Sequence, residues 1–130
     1  MTDDQLHRYA VLATGVLALV VAVLSLLPGG GVPDPGTGTE TWLYGLIVLG
    51  AHAAAYAALV WPLSASRPRN ALWVVPAAAA YGGALEMIQP HVGRHGTWED
   101  ALANAVGACL GAGLGWSTHR LWRHRARARV

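Results

Sequence analysis

Apolar residues fall in four stretches, each near the length of about 20 residues at which a helix spans a bilayer. They predict helices at about 9–27, 42–63, 71–89 and 99–121. The fourth is the weakest of the set, because Gly and Ala dominate it. A single domain of 130 residues cannot bury four such helices in its own interior. The expectation is therefore an all-α integral membrane four-helix bundle, one domain from end to end.

Charge sharpens that picture. Only 12% of the residues are charged, about half the usual share. There is no Lys, so the nine arginines carry all the strong positive charge. Arg8 precedes the first stretch, and Arg67 and Arg69 lie between the second and third. Arg120, Arg123, Arg125, Arg127 and Arg129 form a basic tail at 120–130, whereas Pro28 to Thr41 contains no base. Positive loops stay inside, so both termini are expected in the cytoplasm of a multi-pass membrane protein. The tail is expected to lie along the anionic inner leaflet. One short basic end beside a membrane helix is a poor nucleic-acid reader, so no nucleic acid is expected as a partner.

Smaller features agree. Trp42, Trp61, Trp98, Trp116 and Trp122 fall near predicted helix ends, as in interfacial belts. The first apolar run exceeds a signal-peptide core, Asp3 and Asp4 precede it, and Pro28 with three glycines follows it. It reads as a retained helix. The segment from Pro28 to Thr41 is Gly/Pro-rich and reads as an irregular loop. Cys109, the only cysteine, excludes an intrachain disulfide and is expected to be buried as a small packing residue.

Six polar residues interrupt this apolar background: His52, Glu86, Gln89, Arg94, Asp100 and Asn104. Ionisable groups at membrane depth are costly, so they face a protein interior or a watery cavity and mark function. Gly82, Glu86 and Gln89 share one face of the third helix by their spacing; Asp100, Asn104, Gly107 and Gly111 share one face of the fourth. His52 and Tyr56 are four apart on the second. Pro90 helps end the third helix, so the third and fourth are antiparallel neighbours with their polar positions at one depth, near the outer leaflet. His52 is expected deeper than the rest. Arg94 is expected to fold back over the carboxylates and pair with Glu86.

Plainer roles compete with these. Thr97 can cap the fourth helix with Asp100 at its third position. Asn104 can simply bond helix to helix. Gly107, Gly111 and Gly115 repeat every four residues, a packing pattern. His91 and His95 flank Arg94 and, with His52 and Glu86, are the residues a metal would draw on. No H-E-x-x-H or H-x-x-E-H spacing appears, so neither a metal nor any other cofactor is expected. There is also no G-x-S-x-G and no phosphate-binding glycine loop.

The order H-x-x-x-Y, E-x-x-Q, R, then D-x-x-x-N-x-x-G-x-x-x-G resembles the VanZ-like family of bacterial membrane proteins. His52 and Tyr56 carry the first motif, Glu86 and Gln89 the second, and Arg94, Asp100, Asn104, Gly107 and Gly111 the rest. Ser25 and Pro28 resemble the S-x-x-P that closes the family's first helix. The family often has Asp-Lys shortly before its His, where this chain has Val48 and Leu49. The resemblance implies a four-helix protein of the cell envelope, in a family named for a link to teicoplanin resistance.

Three functions follow as expectations. The first is a non-enzymatic protein whose outward polar pocket binds a membrane lipid headgroup or a lipid-linked envelope ligand. Its ligand-binding residues would be Arg94, Glu86, Gln89, Asp100, Asn104, His52 and Tyr56. The second is a membrane enzyme with Glu86 or Asp100 as general base and His52 as proton relay. The third is a structural partner protein, whose polar cluster serves the stability of the bundle alone while the function belongs to the protein it partners. The expected topology is checked by cysteine labelling in intact cells: a Cys at Gly36 labels from outside, and one at Ser66 does not.

Overall fold

The computed structural model describes residues 2–27, 39–94 and 96–128. Four helices account for nearly all of them: α1 (Asp3–Leu26), α2 (Thr39–Ser66), α3 (Ala71–Ile88) and α4 (Trp98–Arg127). Single 3-10 turns at Pro68–Asn70 and Gln89–Val92 flank α3. The all-α expectation holds.

Helix ends depart from the sequence reading, each for a local reason. α1 starts at Asp3 rather than near Tyr9, because Thr2 and Gln5 form a reciprocal cap: Gln5 N donates to Thr2 Oγ1 (3.3 Å), and Thr2 N to Gln5 Oε1 (2.9 Å). Asp3 and Asp4 then sit in the first turn, where the helix dipole favours them. α2 begins at Thr39, inside the segment read as loop; residues 28–38 of that segment, with Pro28 and Gly36, lie outside the described residues. α4 continues to Arg127, so much of the basic tail is helix. Arg and Ala are strong helix formers, and nothing in 121–127 breaks the run.

Three segments are long and apolar enough to cross a membrane: Asp3–Leu26, Trp42–Ser66 and Pro68–Val92. α4 is as long but less apolar, because glycines and Asn104 dilute it. The surface of the bundle is apolar as well. Leu12, Val16, Leu19, Ile47, Leu72, Leu110 and Leu114 are all exposed on the outside of the bundle. So large an apolar exterior is foreign to a monomer in water and natural against lipid. Pro62 and Pro76 lie within α2 and α3, as membrane helices tolerate.

α2 is the centre of the bundle, and its most extensive partner is α4. The two run parallel. His52 meets Asn104, Trp61 Nε1 donates to Thr118 Oγ1 (3.2 Å), and His119 Nδ1 meets Ala65 O (3.0 Å), in ascending order on both helices. α1 runs the other way: Thr14 Oγ1 donates to Leu59 O and His7 meets Ser66. α3 reverses into α4 as expected. The start of α1 and the end of α4 thus lie at one end of the bundle. There Arg67 Nη2 pairs with Asp4 Oδ1 at 2.9 Å.

The α2–α4 contact depends on glycine. A Cβ built on Gly107 would stand 2.7 Å from Ala53 Cα, against the Ala53 carbonyl oxygen. One on Gly111 would meet Ala57 in the same way, with 2.8 Å to its Cα. One on Gly115 would reach Ser64 Cβ at 2.6 Å. Ala108 beside them is fully buried. Cys109 corrects the sequence reading: it is exposed, because the small-residue seam takes the facing positions and leaves it turned away.

Gly111→Ala is expected to destabilise the bundle by about 1–3 kcal/mol, since the helices must part. Gly113→Ala, whose Cβ meets nothing within 4 Å, should instead gain up to about 1 kcal/mol of helix stability. Thermal unfolding in detergent measures both, and equal effects would contradict the close contact.

Candidate functional site

The expected polar faces of α2, α3 and α4 converge at the end of the bundle away from the termini. The α2–α4 register sets His52 opposite Asn104, and the short α3–α4 turn brings Glu86 to the same level. His52 Nδ1 lies 2.9 Å from Asn104 Oδ1. Asn104 Nδ2 donates to Glu86 Oε1 (3.4 Å). His52 Nδ1 is 3.8 Å from Glu86 Oε1, and His52 Nε2 is 4.0 Å from Asp100 Oδ1. Contrary to the sequence reading, His52 is level with the others. Nor is it the innermost of them: its side chain is 23% exposed, against 8% for Glu86 and 13% for Asp100.

Asp100 does two things at once. Its backbone N–H donates to Thr97 Oγ1 (3.2 Å), so Thr97 caps α4 as expected. Its carboxylate meanwhile turns toward His52. The local role and the site role are compatible because one uses the main chain and the other the side chain. The Thr97 backbone amide also faces the Glu86 carboxylate. Gly96 packs on the Glu86 main chain, where a Cβ would come within 3.0 Å of the Glu86 carbonyl carbon.

Asn104 is 1% exposed and spends both ends of its amide inside the cluster. Tyr56, 2% exposed, places its hydroxyl at the inner edge. A Cβ on Gly82 would lie 2.9 Å from Asn104 Nδ2 and 3.0 Å from Tyr56 Oη. Gly82 is therefore a floor on which both rest. Tyr56 Oη is buried without a hydrogen-bond partner among the described residues. Gln89 is also buried, in the turn after α3, and its polar groups are engaged.

Arg94 does not go where the sequence suggested. Its Nη1 donates to Leu24 O of α1 at 3.0 Å, and it forms no ion pair among the described residues. The cause is the turn. Gly93 takes a left-handed conformation (φ 76°), and Arg94 N returns to Gln89 O, which aims the side chain at α1 instead of over Glu86. A signal for this was present: α1 has no basic residue in its last turn, so its end carbonyls need a donor from elsewhere. His91 is exposed and separate from the cluster; His95 lies outside the described residues. The metal donors weighed from sequence are thus not brought together as a set. Instead the ligand atoms of His52, Glu86 and Asp100 lie within 4.8 Å of one another.

A separate open cleft of about 920 Å³ lies at the other end, lined by Asp3, Arg67, Arg69, Asn70, His119 and Arg123 among others. It takes in the loop arginines read as topology signals and shares no residue with the polar cluster. Comparison with protein-family models, with curated proteins and with solved structures finds no match to this chain.

Because Arg94 and Glu86 do not touch, their effects on stability should add. The double-mutant cycle Arg94→Ala/Glu86→Ala is expected to show coupling under about 0.5 kcal/mol. The cycle His52→Ala/Asn104→Ala, across a 2.9 Å contact, should show about 0.5–3 kcal/mol. Detergent unfolding of the six variants checks both, and strong Arg94–Glu86 coupling would restore the ion pair.

Proposed function

We propose that this chain is a VanZ-like protein of the bacterial cytoplasmic membrane. Its polar cluster binds the headgroup of a membrane lipid or lipid-linked envelope ligand, and by that route it influences susceptibility to teicoplanin-type glycopeptides. All four helices cross the bilayer in this reading, with both termini cytoplasmic and the cluster toward the outer leaflet. The arginine-rich end and the placement of both described chain ends beside it support that orientation.

One observation carries the binding role. Two carboxylates, an imidazole and an amide are gathered at one depth in an otherwise apolar bundle, and the imidazole remains 23% exposed. A cluster serving only to join helices has no need of an open edge. Polar groups in such a place are expensive unless a ligand or the bundle satisfies them. The carboxylate acceptors favour a headgroup that presents ammonium or hydroxyl hydrogens to Glu86 and Asp100. Arg94 sits at the adjacent rim with one donor committed to Leu24 O. Its guanidinium carries five N–H donors, so it retains capacity for a phosphate oxygen of the same headgroup.

A second reading, a membrane enzyme, draws on the same imidazole between two carboxylates. There Glu86 or Asp100 is the general base and His52 moves the proton.

Native mass spectrometry of the purified protein tests the binding role. The wild type should retain a lipid-sized adduct. Asp100→Asn should lower its occupancy about tenfold, or about 1.4 kcal/mol, with helix content and unfolding temperature preserved. An adduct indifferent to Asp100→Asn and to His52→Gln would refute the reading. Conversion of the retained lipid by the wild type, lost in Glu86→Gln, would favour the enzyme.

A further inference from the structure

The donor and acceptor pattern of the cluster can be followed atom by atom. Glu86 Oε1 accepts from Asn104 Nδ2, so the amide of Asn104 is oriented with its oxygen toward His52. That oxygen is an acceptor, and it lies 2.9 Å from His52 Nδ1. Nδ1 must therefore carry the hydrogen. The neutral imidazole then has its lone pair on Nε2, and Nε2 faces Asp100 Oδ1 across 4.0 Å. Two acceptors look at each other over a distance too long for a hydrogen bond. A cation resolves that arrangement.

We propose that His52, Glu86 and Asp100 hold one divalent transition-metal ion, zinc by preference, with Asn104 fixing the imidazole from behind. The inference rests on this geometry and not on headgroup binding.

Zinc takes imidazole nitrogen and carboxylate oxygen at about 2.0–2.2 Å, which sets tetrahedral ligand atoms about 3.4 Å apart. One ligand atom from each of the three residues lies within 4.8 Å of the other two. Asp100 already faces Nε2, whereas Glu86 Oε1 stands 3.8 Å from Nδ1 and turns its carboxylate toward Nε2 to close the site. Charge agrees with geometry. Two carboxylates and a neutral imidazole carry two negative charges, and a divalent ion cancels them in a low-dielectric place. The Nδ1–H of His52 donating to an amide oxygen is the usual second contact of a ligating histidine, which fixes the tautomer and aims Nε2.

Tyr56, 2% exposed, closes the inner side of the cluster, its hydroxyl ending beside Asn104 over Gly82. Three protein ligands and one open position is the arrangement of a metal that binds or polarises an exogenous group rather than one that only braces a fold. The partial exposure of His52 leaves that position an approach.

The alternative is a doubly protonated His52 balancing the carboxylates with no metal. Metal loading of the full-length protein in detergent distinguishes the two. The protein is stripped with chelator, then dialysed against Zn²⁺ for elemental analysis and against Co²⁺ for its visible absorption. The wild type should take up one equivalent, develop the bands of a low-symmetry N/O site with Co²⁺, and unfold at higher temperature with Zn²⁺. Glu86→Gln and Asp100→Asn keep the shape of each side chain. Each should weaken Zn²⁺ binding about 100-fold or more and abolish the thermal shift. Asn104→Ala, acting from the second contact, should weaken it about 10–100-fold. Changing His91, His95, His119 and His124 together to Ala should leave the equivalent in place. Absence of saturable uptake by the wild type would overturn the site. So would equal uptake by folded Asp100→Asn and Glu86→Gln, or loss of uptake in the quadruple histidine variant alone.

Discussion

Everything at the polar end depends on how closely α2 and α4 approach. Gly107 and Gly111 rest on the main chain of Ala53 and Ala57, and Gly115 rests on Ser64 and Ala65. In lipid no hydrophobic force draws two helices together; close packing and interhelical hydrogen bonds must do so. The glycine seam supplies the packing and also fixes a parallel register. That register determines that His52 meets Asn104 and Asp100 and not residues a turn away. A chain with the same polar residues and a wider α2–α4 separation would have the parts of the cluster without the cluster.

Asn104 then becomes the joint of the polar end. It is almost completely buried and meets α2 with its oxygen and α3 with its nitrogen. Asp and Glu in its place would offer acceptors only and repel Glu86, and an apolar residue would leave His52 and Glu86 unbridged. The floor beneath it must be glycine as well, since a Cβ at 82 would press on both Asn104 and Tyr56. A single small residue on α3 thereby lets groups from α2 and α4 share one space.

The remaining helix, α1, is attached differently. Few of its residues are buried, and beyond the His7–Ser66 and Asp4–Arg67 contacts at its start its polar links run from side-chain donors to main-chain oxygens. Thr14 donates to Leu59 O, Tyr81 Oη to Ala18 O at 2.6 Å, and Arg94 to Leu24 O. Such bonds are well suited to a membrane, where the carbonyls have no water to turn to. Arg94, the one arginine that the charge asymmetry leaves at the other end, commits one donor to this attachment, at the rim of the cluster and not within it.

The sequence by itself determined the helices, a set of six polar side chains that includes the four that meet, and the glycine seam. Each of these is periodic or compositional. Apolar runs must be helical in lipid, residues four apart must share a helix face, and glycines four apart must form a groove. The fate of Arg94, the exposure of Cys109 and the level of His52 were decided only by the tertiary structure. Arg94 turns on a left-handed Gly93 and on an uncapped carbonyl at Leu24, far away in the chain. Cys109 turns on which of two adjacent small-residue faces α2 takes. The level of His52 turns on the α2–α4 register, which no spacing within one helix can express. Local periodicity places a side chain on a face; only the packing of faces against each other decides what it meets.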